Sequence, residues 1–363
     1  MPNMKEIARM AGVSLGTVSN VLNGSARVRE PLRKRVEEAV EALGYQPSAL
    51  ARGLRLDKSD IIGMVIPDIT NPFFPAVVRG AEDIAFSHGY RLVLCNTDND
   101  HMKELAHLKE LRTFLPAGLI VIPSNFSDLT KQAESYQKAG TAVVCVDRLP
   151  KRWQGDSVTV ANERGADAVT RHLIQLGHRR IGIITGPLHL TNSEQRLRGF
   201  RRAMAEAELP IPPECIQESG FDVSGGRAKA MLLLRLLPRP TAIFAANDMI
   251  AMGVLEAARG LGLQCPKDIS IVGFDDLEFA SLLNPSLASV FQPGYQLGAT
   301  AARLLMDRVQ GDHGAPRHIV LETEMRIRES VAPPLDAQEK PKRVAAKTRK
   351  TQPKKTRAPI RKA

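Results

Sequence analysis

The chain has 363 residues, 43% of them hydrophobic, which is enough for two or three units with real cores at roughly 100 to 200 residues per domain. Its net charge of +11 suggests a polyanionic partner, yet residues 340–363 alone hold eleven Lys and Arg and no acid, so the excess belongs to the tail. No apolar leader opens the sequence and no run approaches the roughly 18 to 20 apolar residues of a membrane helix, which predicts a cytoplasmic protein with no membrane partner.

Residues 4–44 read as three short helices. Asn3 can cap the first, with Glu6 three positions on as in a capping box, and Ile7, Ala8 and Ala11 give it an apolar face. Gly12 breaks that helix and Ser14 can cap the next, Leu15 to Leu22. There Val18, Val21 and Leu22 share one side, while Leu15, Gly16, Thr17, Ser19 and Asn20 lie elsewhere. A third helix, about Glu30 to Leu43, repeats apolar residues at Leu32, Val36, Ala39, Val40 and Leu43 before Gly44. Two helices around a Gly-containing turn, closed by a third, read as a helix-turn-helix DNA-binding unit, with a small helical cap of no nucleic-acid role as the alternative from helical pattern alone. The run Gly12-Val13-Ser14-Leu15-Gly16 also matches the GxSxG nucleophile elbow, but that motif needs a preceding strand and here a helix precedes it.

Residues 61–328 alternate apolar strands with amphipathic helices. Strands are predicted at Ile61 to Ile66, Arg91 to Cys95, Leu119 to Ile122, Ala142 to Val146, Val158 to Val160, Ile181 to Ile184, Ala242 to Ala245 and Ile271 to Phe274. Helices fall between most of them, as at Val77 to His88, Arg164 to Leu176 and Met249 to Leu261. Such alternation means right-handed βαβ units and parallel sheets. About 270 residues is large for one doubly wound sheet, so two lobes with a ligand cleft at the carboxyl ends of their strands are expected. Cys95, Cys145, Cys215 and Cys265 are far apart and read as buried free thiols in a reducing compartment. No CxxC pair or His/Cys cluster has metal spacing, so no metal and no cofactor are expected. Residues 333–363, rich in Pro, Ala, Lys and Arg with no apolar heptad, read as a disordered tail that builds no tetramerising helix.

The runs MKEIARMAGVSLGTVSNVLNG and VREPLRKRVEEAVEALGYQPSALARGLR, followed by IIGMVIPDITNPFF, HLIQLGHRRIGIITGP and ISIVGFDD, resemble the lactose-repressor (LacI/GalR) family of bacterial regulators over residues 3 to about 330. The resemblance implies an all-α headpiece over 1–46, a hinge helix and linker over 47–58, a two-lobed α/β effector-binding and dimerisation domain over 59–332, and the basic tail over 333–363. Its expected partners are a palindromic double-stranded operator, a small-molecule effector and a second copy of the chain.

By matching position, the second helix lies in the major groove with Leu15, Gly16 and Asn20 facing base edges and Thr17 and Ser19 contacting phosphates. Leu15 and Gly16 depart from the polar pair common there, which leaves Asn20 as the direct reader, with adenine its preferred partner. In the hinge segment Ala51, Leu54 and Arg55 are DNA contacts, and Leu54 is the wedge that unstacks a central step from the minor groove. Gly53 departs from the commoner Ser and disfavours helix.

The middle domain resembles ribose-type periplasmic sugar-binding proteins. By matching position its effector contacts are Asn71, Phe73, Phe74, Asp147, Arg148, Arg196, Phe221, Asn247, Asp275 and Gln292. Aromatic faces suit the C–H surface of a sugar, and carboxylates, amides and guanidinium groups suit its hydroxyls. A pentose such as ribose is the first expectation, with a hexose or nucleoside as alternatives. Purine-binding relatives place an arginine at the position of Leu190. Two competing functions find less support: a transport protein would carry an export signal and no headpiece, and an α/β enzyme would need a motif such as GxxxxGK[ST] or HExxH, neither of which is present.

Overall fold

A computed structural model describes residues 2–22, 28–45, 59–124, 129–150 and 152–335. The first element, α1 (Met4–Ala11), has the expected capping box: the Asn3 side chain accepts from the Lys5 and Glu6 amides, and Glu6 accepts from the Asn3 amide at 3.0 Å. Gly12 ends it at φ +61, a left-handed conformation that costs a residue without a Cβ nothing. Next come α2 (Leu15–Leu22), whose Thr17 amide donates to Ser14 Oγ at 3.1 Å, and α3 (Glu30–Leu43). Ile7, Ala11, Val18, Val21, Val36 and Ala39 bury the apolar faces of all three helices in one small core.

Beyond residue 59 the described residues form two six-stranded sheets. The first contains β1 (Ile61–Ile66), β2 (Arg91–Asn96), β3 (Gly118–Val121), β4 (Ala142–Val146) and β5 (Asp156–Val160), and is joined late in the chain by β11 (His318–Leu321), in the order β11-β5-β4-β3-β1-β2. The second contains β6 (Ile181–Thr185), β7 (Ile216–Glu218), β8 (Ala242–Ala245), β9 (Ser270–Asp275), β10 (Ala288–Phe291) and β12 (Glu324–Arg326), in the order β12-β10-β9-β8-β6-β7. Every pairing is parallel except β10 with β12. Three of the expected strands carry the expected bounds, Ile61–Ile66, Ala142–Val146 and Ala242–Ala245. The others differ by one or two residues at an end, and β7, β10, β11 and β12 were not anticipated.

Helices cover the sheets: α4 (Phe73–Ser87), α5 (His101–Leu111) and α6 (Leu129–Lys138) in the first lobe, α7 (Asn162–Gln175), α8 (Thr191–Glu206), α9 (Val223–Leu234) and α10 (Asp248–Gly260) in the second. The last helix, α11 (Gly294–Val309), returns to the first lobe and packs on α4. That packing is close because it is built on glycines: a Cβ on Gly80 would stand 2.0 Å from the Tyr295 carbonyl oxygen, and one on Gly298 would stand 1.8 Å from that of Val77. The chain therefore passes between lobes three times, after β5, after β10 and between β11 and β12. Apolar clusters fill both faces of each sheet. All four cysteines are free as expected, but only Cys145 and Cys215 are buried; Cys95, on β2, and Cys265, in the turn before β9, are partly exposed. No helix of the described residues is long and apolar enough to cross a membrane.

Candidate functional site

Two constellations stand out, one on the headpiece and one between the lobes. On α2 the buried pair Val18 and Val21 turns the opposite side outward, so Leu15, Gly16 and Asn20 are exposed, and Thr17 and Ser19 are partly so. Leu15 keeps 46% of its surface exposed. A Cβ on Gly16 would meet only Ser14 Oγ, at 3.7 Å, so its glycine is not imposed by packing. Ala51, Leu54 and Arg55 lie outside the described residues.

Between the lobes, all ten expected effector residues line one cavity. Asn71, Phe73 and Phe74 follow β1, and Asp147 and Arg148 follow β4; these come from the first lobe. Phe221 follows β7, Asn247 follows β8, Asp275 ends β9 and Gln292 sits on the crossover after β10. Arg196 lies in the second turn of α8 and reaches the cavity from there. The arrangement follows from the topology, since both sheets aim the carboxyl ends of their strands at the same gap. Sequence reasoning missed one lining residue, Asn192, which is buried and donates to Asp147 Oδ2 at 3.1 Å. Its only signal was a place at the start of a helix, where asparagine is common for capping alone.

The cavity is charged and balanced. Asp147, Arg148, Arg196 and Asp275 each keep 5% or less of their surface exposed, and their charges cancel. Arg196 donates from Nε to Asn162 Oδ1 at 2.8 Å and from Nη1 to the Ala246 carbonyl at 2.5 Å, stands 3.8 Å from Asp275 Oδ1, and stacks 3.8 Å over the Phe274 ring. Arg148 lies 3.4 Å from Asp147, donates to Asn99, and sits 5.7 Å over Phe74 and 5.6 Å over Phe221. Burial pushes the Asp147 carboxyl above the usual carboxylate range, and Arg148 and Arg196 pull it back. Asp275 is raised further, again by burial first, against the pull of Arg196. Both aspartates adopt positive φ, +62 at Asp147 and +112 at Asp275, a strained backbone typical of side chains aimed at a ligand. Asp147 Oδ1 and Gln292 Oε1 are buried with no hydrogen-bond partner among the described residues, capacity that a hydroxyl-rich ligand would fill. Among the described residues no group of His, Cys, Asp and Glu is placed to hold a metal ion.

Comparison with known proteins decides the family. Residues 3–48 match the model of bacterial regulatory proteins of the lacI family, and residues 170–331 match the periplasmic binding protein-like domain. The ribose operon repressor of Escherichia coli strain K12 is 39% identical over 310 residues, covering 85% of this chain and 93% of that protein. The chain belongs to the lacI family of bacterial regulatory proteins. The HTH-type transcriptional repressor PurR of Aliivibrio salmonicida is 35% identical over 333 residues, covering 91% of this chain and 99% of that protein. Among solved structures, the lac repressor dimer bound to operator and the anti-inducer ONPF superposes with a TM-score of 0.79 at 25% identity, covering 91% of this chain and 99% of that one. Like other family members, this chain is a DNA-binding transcription regulator and not an enzyme, with a helix-turn-helix ahead of a two-lobed α/β ligand-binding body.

Proposed function

We propose that this regulator is a cytoplasmic, sugar-responsive repressor, in which a monosaccharide held between the lobes sets the affinity of a dimer for a palindromic operator. One observation carries the ligand reading: eleven side chains from both lobes and a crossover meet in one cavity with two carboxylates, two guanidinium groups, four amides and three aromatic rings. A charge-neutral set that pairs acceptors with donors suits vicinal hydroxyls, and the rings suit a sugar's C–H faces. An anionic sugar would upset the balance. Leu190 is buried and offers no donor to a purine base. A pentose such as ribose fits best, which agrees with the name of the ribose operon repressor.

On the headpiece, Asn20 reads an adenine, Leu15 offers apolar contact to a thymine methyl, and Thr17 and Ser19 hold phosphates. Ala51, Leu54 and Arg55 serve the hinge, with Leu54 the minor-groove wedge. The dimer finds support in an apolar groove of about 810 Å³ lined by Pro72, Ala76, Leu277, Phe279, Leu282 and Pro293, beside which Leu282 is 82% exposed. The four free thiols suit the reducing cytoplasm.

The cavity measures about 20 Å³, room for one or two waters at ~10–15 Å³ each, so a ring sugar enters only when the lobes separate. Ligand binding thereby changes the angle between lobes, and with it the spacing of the paired headpieces. Calorimetric titration of the full chain with a panel of monosaccharides tests this: a pentose is expected to bind, and Asp275→Ala to abolish binding. If the wild type binds no monosaccharide, the sugar reading fails.

A further inference from the structure

Asp275 reaches the cavity from a turn that the backbone does not favour. Asp275 and Asp276 both hold positive φ, +112 and +54, and two such residues in a row, neither of them glycine, stay in place only when their surroundings over-determine them. The Asp276 carboxylate is bound by Arg326 at 2.7 Å and by Arg328 at 2.6 Å. The amides of the turn both lead to one further side chain. The Leu277 amide donates to Asp248 Oδ2 at 2.8 Å. The Asp276 amide donates to Ser289 Oγ at 3.1 Å, and that hydroxyl donates to Asp248 Oδ1 at 2.6 Å.

Asp248 is fully buried and does not line the cavity. Burying a carboxyl is costly unless its oxygens find donors, and here both oxygens serve the turn. As the first residue of α10 it stands where the helix dipole favours an acid, but capping falls to its neighbour Asn247, which accepts from the Ile250 amide at 2.8 Å. β9 makes room for the carboxyl: a Cβ on Gly273 would stand 2.1 Å from Asp248 Oδ1. Asn247 also donates from Nδ2 to the Phe221 carbonyl at 3.4 Å. Three cavity residues of the second lobe, Phe221, Asn247 and Asp275, are thereby tied to two consecutive residues at the start of one helix.

We propose that Asp248 is a positioning residue for effector recognition. Through the Leu277 amide and Ser289 it holds the turn that aims the Asp275 carboxylate, and so fixes which ligand hydroxyl that carboxylate reads without touching the ligand. This rests on the cavity being a sugar site. A hydrogen bond weakens steeply as it bends, so a turn free to relax toward favoured φ would keep the cavity and lose the preference among hydroxyls. A residue that merely supports the fold would instead lower affinity for every ligand alike.

The test is calorimetric titration of the full chain with D-ribose, or with whichever monosaccharide of the panel binds, and with each of its monodeoxy analogues. In the wild type, analogues that lack a hydroxyl read by the cavity should bind at least about tenfold more weakly. Asp248→Ala should shrink one or two of these penalties at least about fivefold and leave the others within about twofold. Asp248→Asn should restore them, because its carbonyl oxygen still accepts from the Leu277 amide and its Nδ2 donates to Ser289 Oγ. A uniform loss of affinity across the series, unchanged penalties in Asp248→Ala, or no recovery in Asp248→Asn would each overturn the proposal. Should Asp248→Ala not fold, Ser289→Ala takes its place, since it cuts only the route to the Asp276 amide; penalties shrunk at least about threefold support the proposal and unchanged ones overturn it. Should the wild type bind no monosaccharide, the sugar reading fails and the anchoring is judged by amide exchange. The Asp276 and Leu277 amides should then exchange at least about tenfold faster in the alanine variant than in the wild type, and equal rates would overturn the anchoring as well.

Discussion

Replacing Arg196 by Met removes one cation from a buried, balanced quartet and leaves Asp147 and Asp275 facing a single guanidinium. Arg196 keeps only 2% of its surface exposed, donates to Asn162 and to the Ala246 carbonyl, and lies 3.8 Å from both Asp275 Oδ1 and the Phe274 ring. Breaking a buried pair from one side costs about 3–5 kcal/mol, mostly because the remaining charge has no partner. For a body of this size that lowers the melting temperature by roughly 6–20 °C, at ~2–4 °C per kcal/mol. If the loss comes from the uncompensated carboxylate, Asp275→Asn in the same chain should restore balance and recover a coupling of about 1–3 kcal/mol, although Asp275→Asn alone destabilises. Urea titration of wild type, both single variants and the double variant gives the cycle. A double variant whose losses simply add would refute the charge-balance argument and leave Arg196 as a packing residue.

Asp248 is fully buried, its Oδ2 accepting from the Leu277 amide and Oδ1 from Ser289 Oγ, and burial lifts its pKa to about 7. A carboxyl raised on folding binds more protons folded than unfolded. Its contribution is therefore full below about pH 4 and is lost as pH rises toward 7, and urea titrations of Asp248→Asn should show a flatter stability profile across that window. Gly80→Ala should destabilise by at least about 1–3 kcal/mol in thermal melting, because its Cβ would meet the Tyr295 carbonyl at 2.0 Å in a helix pair that cannot yield. Gly16→Ala should instead slow amide exchange across α2 of the full chain by up to about fivefold, since its Cβ meets nothing closer than 3.7 Å and alanine gains up to ~1 kcal/mol in a helix. Leu54→Ala should weaken operator binding at least about tenfold, ~1.4 kcal/mol, in a direct titration; unchanged affinity would remove its wedge role.

Much of this was legible because the signals are periodic or local. Asn3 with Glu6, and Gly12 behind Ala11, announce a helix and its ends within ten residues, and runs such as IIGMVI can only be strands buried on both faces. What escaped was short or polar. β7 has three residues, two half-buried and one exposed; β10, ASVF, carries a buried serine whose hydroxyl donates to Asp248, forty-one positions away. β11 and β12 are edge strands of four and three residues, and nothing local shows that they belong to different sheets. The cavity residues were found by matching position, and Asn192 was missed because its role depends on Asp147, brought against it only by closure of the lobes.

Among the described residues that closure is held by polar contacts beside the apolar packing of Leu277 against the core of the first lobe. Across the cleft, Asn192 Nδ2 donates to Asp147 Oδ2 at 3.1 Å, the Leu149 amide donates to Thr191 Oγ1 at 3.0 Å, and Arg148 of the first lobe lies over Phe221 of the second. Hydrogen bonds of this kind contribute ~0.5–1.5 kcal/mol net and a cation–π contact ~0.5–2, so these three polar contacts contribute about 2–5 kcal/mol to closure. A ligand present at a hundred times its Kd supplies about 2.7 kcal/mol to whichever lobe angle it prefers. The two quantities are of similar size, so on the proposed reading occupancy of the cavity shifts the balance between angles. On the same reading Arg196 and Gln292 carry the shift outward. Arg196 grips Asn162 where the chain first leaves the first lobe, and Gln292, whose Nε2 donates to Asp275 Oδ1, is itself part of the crossover that leads back to it. A ligand that pulls on either group turns the lobes about the strands that connect them, and the first lobe is the one to which the headpiece is joined.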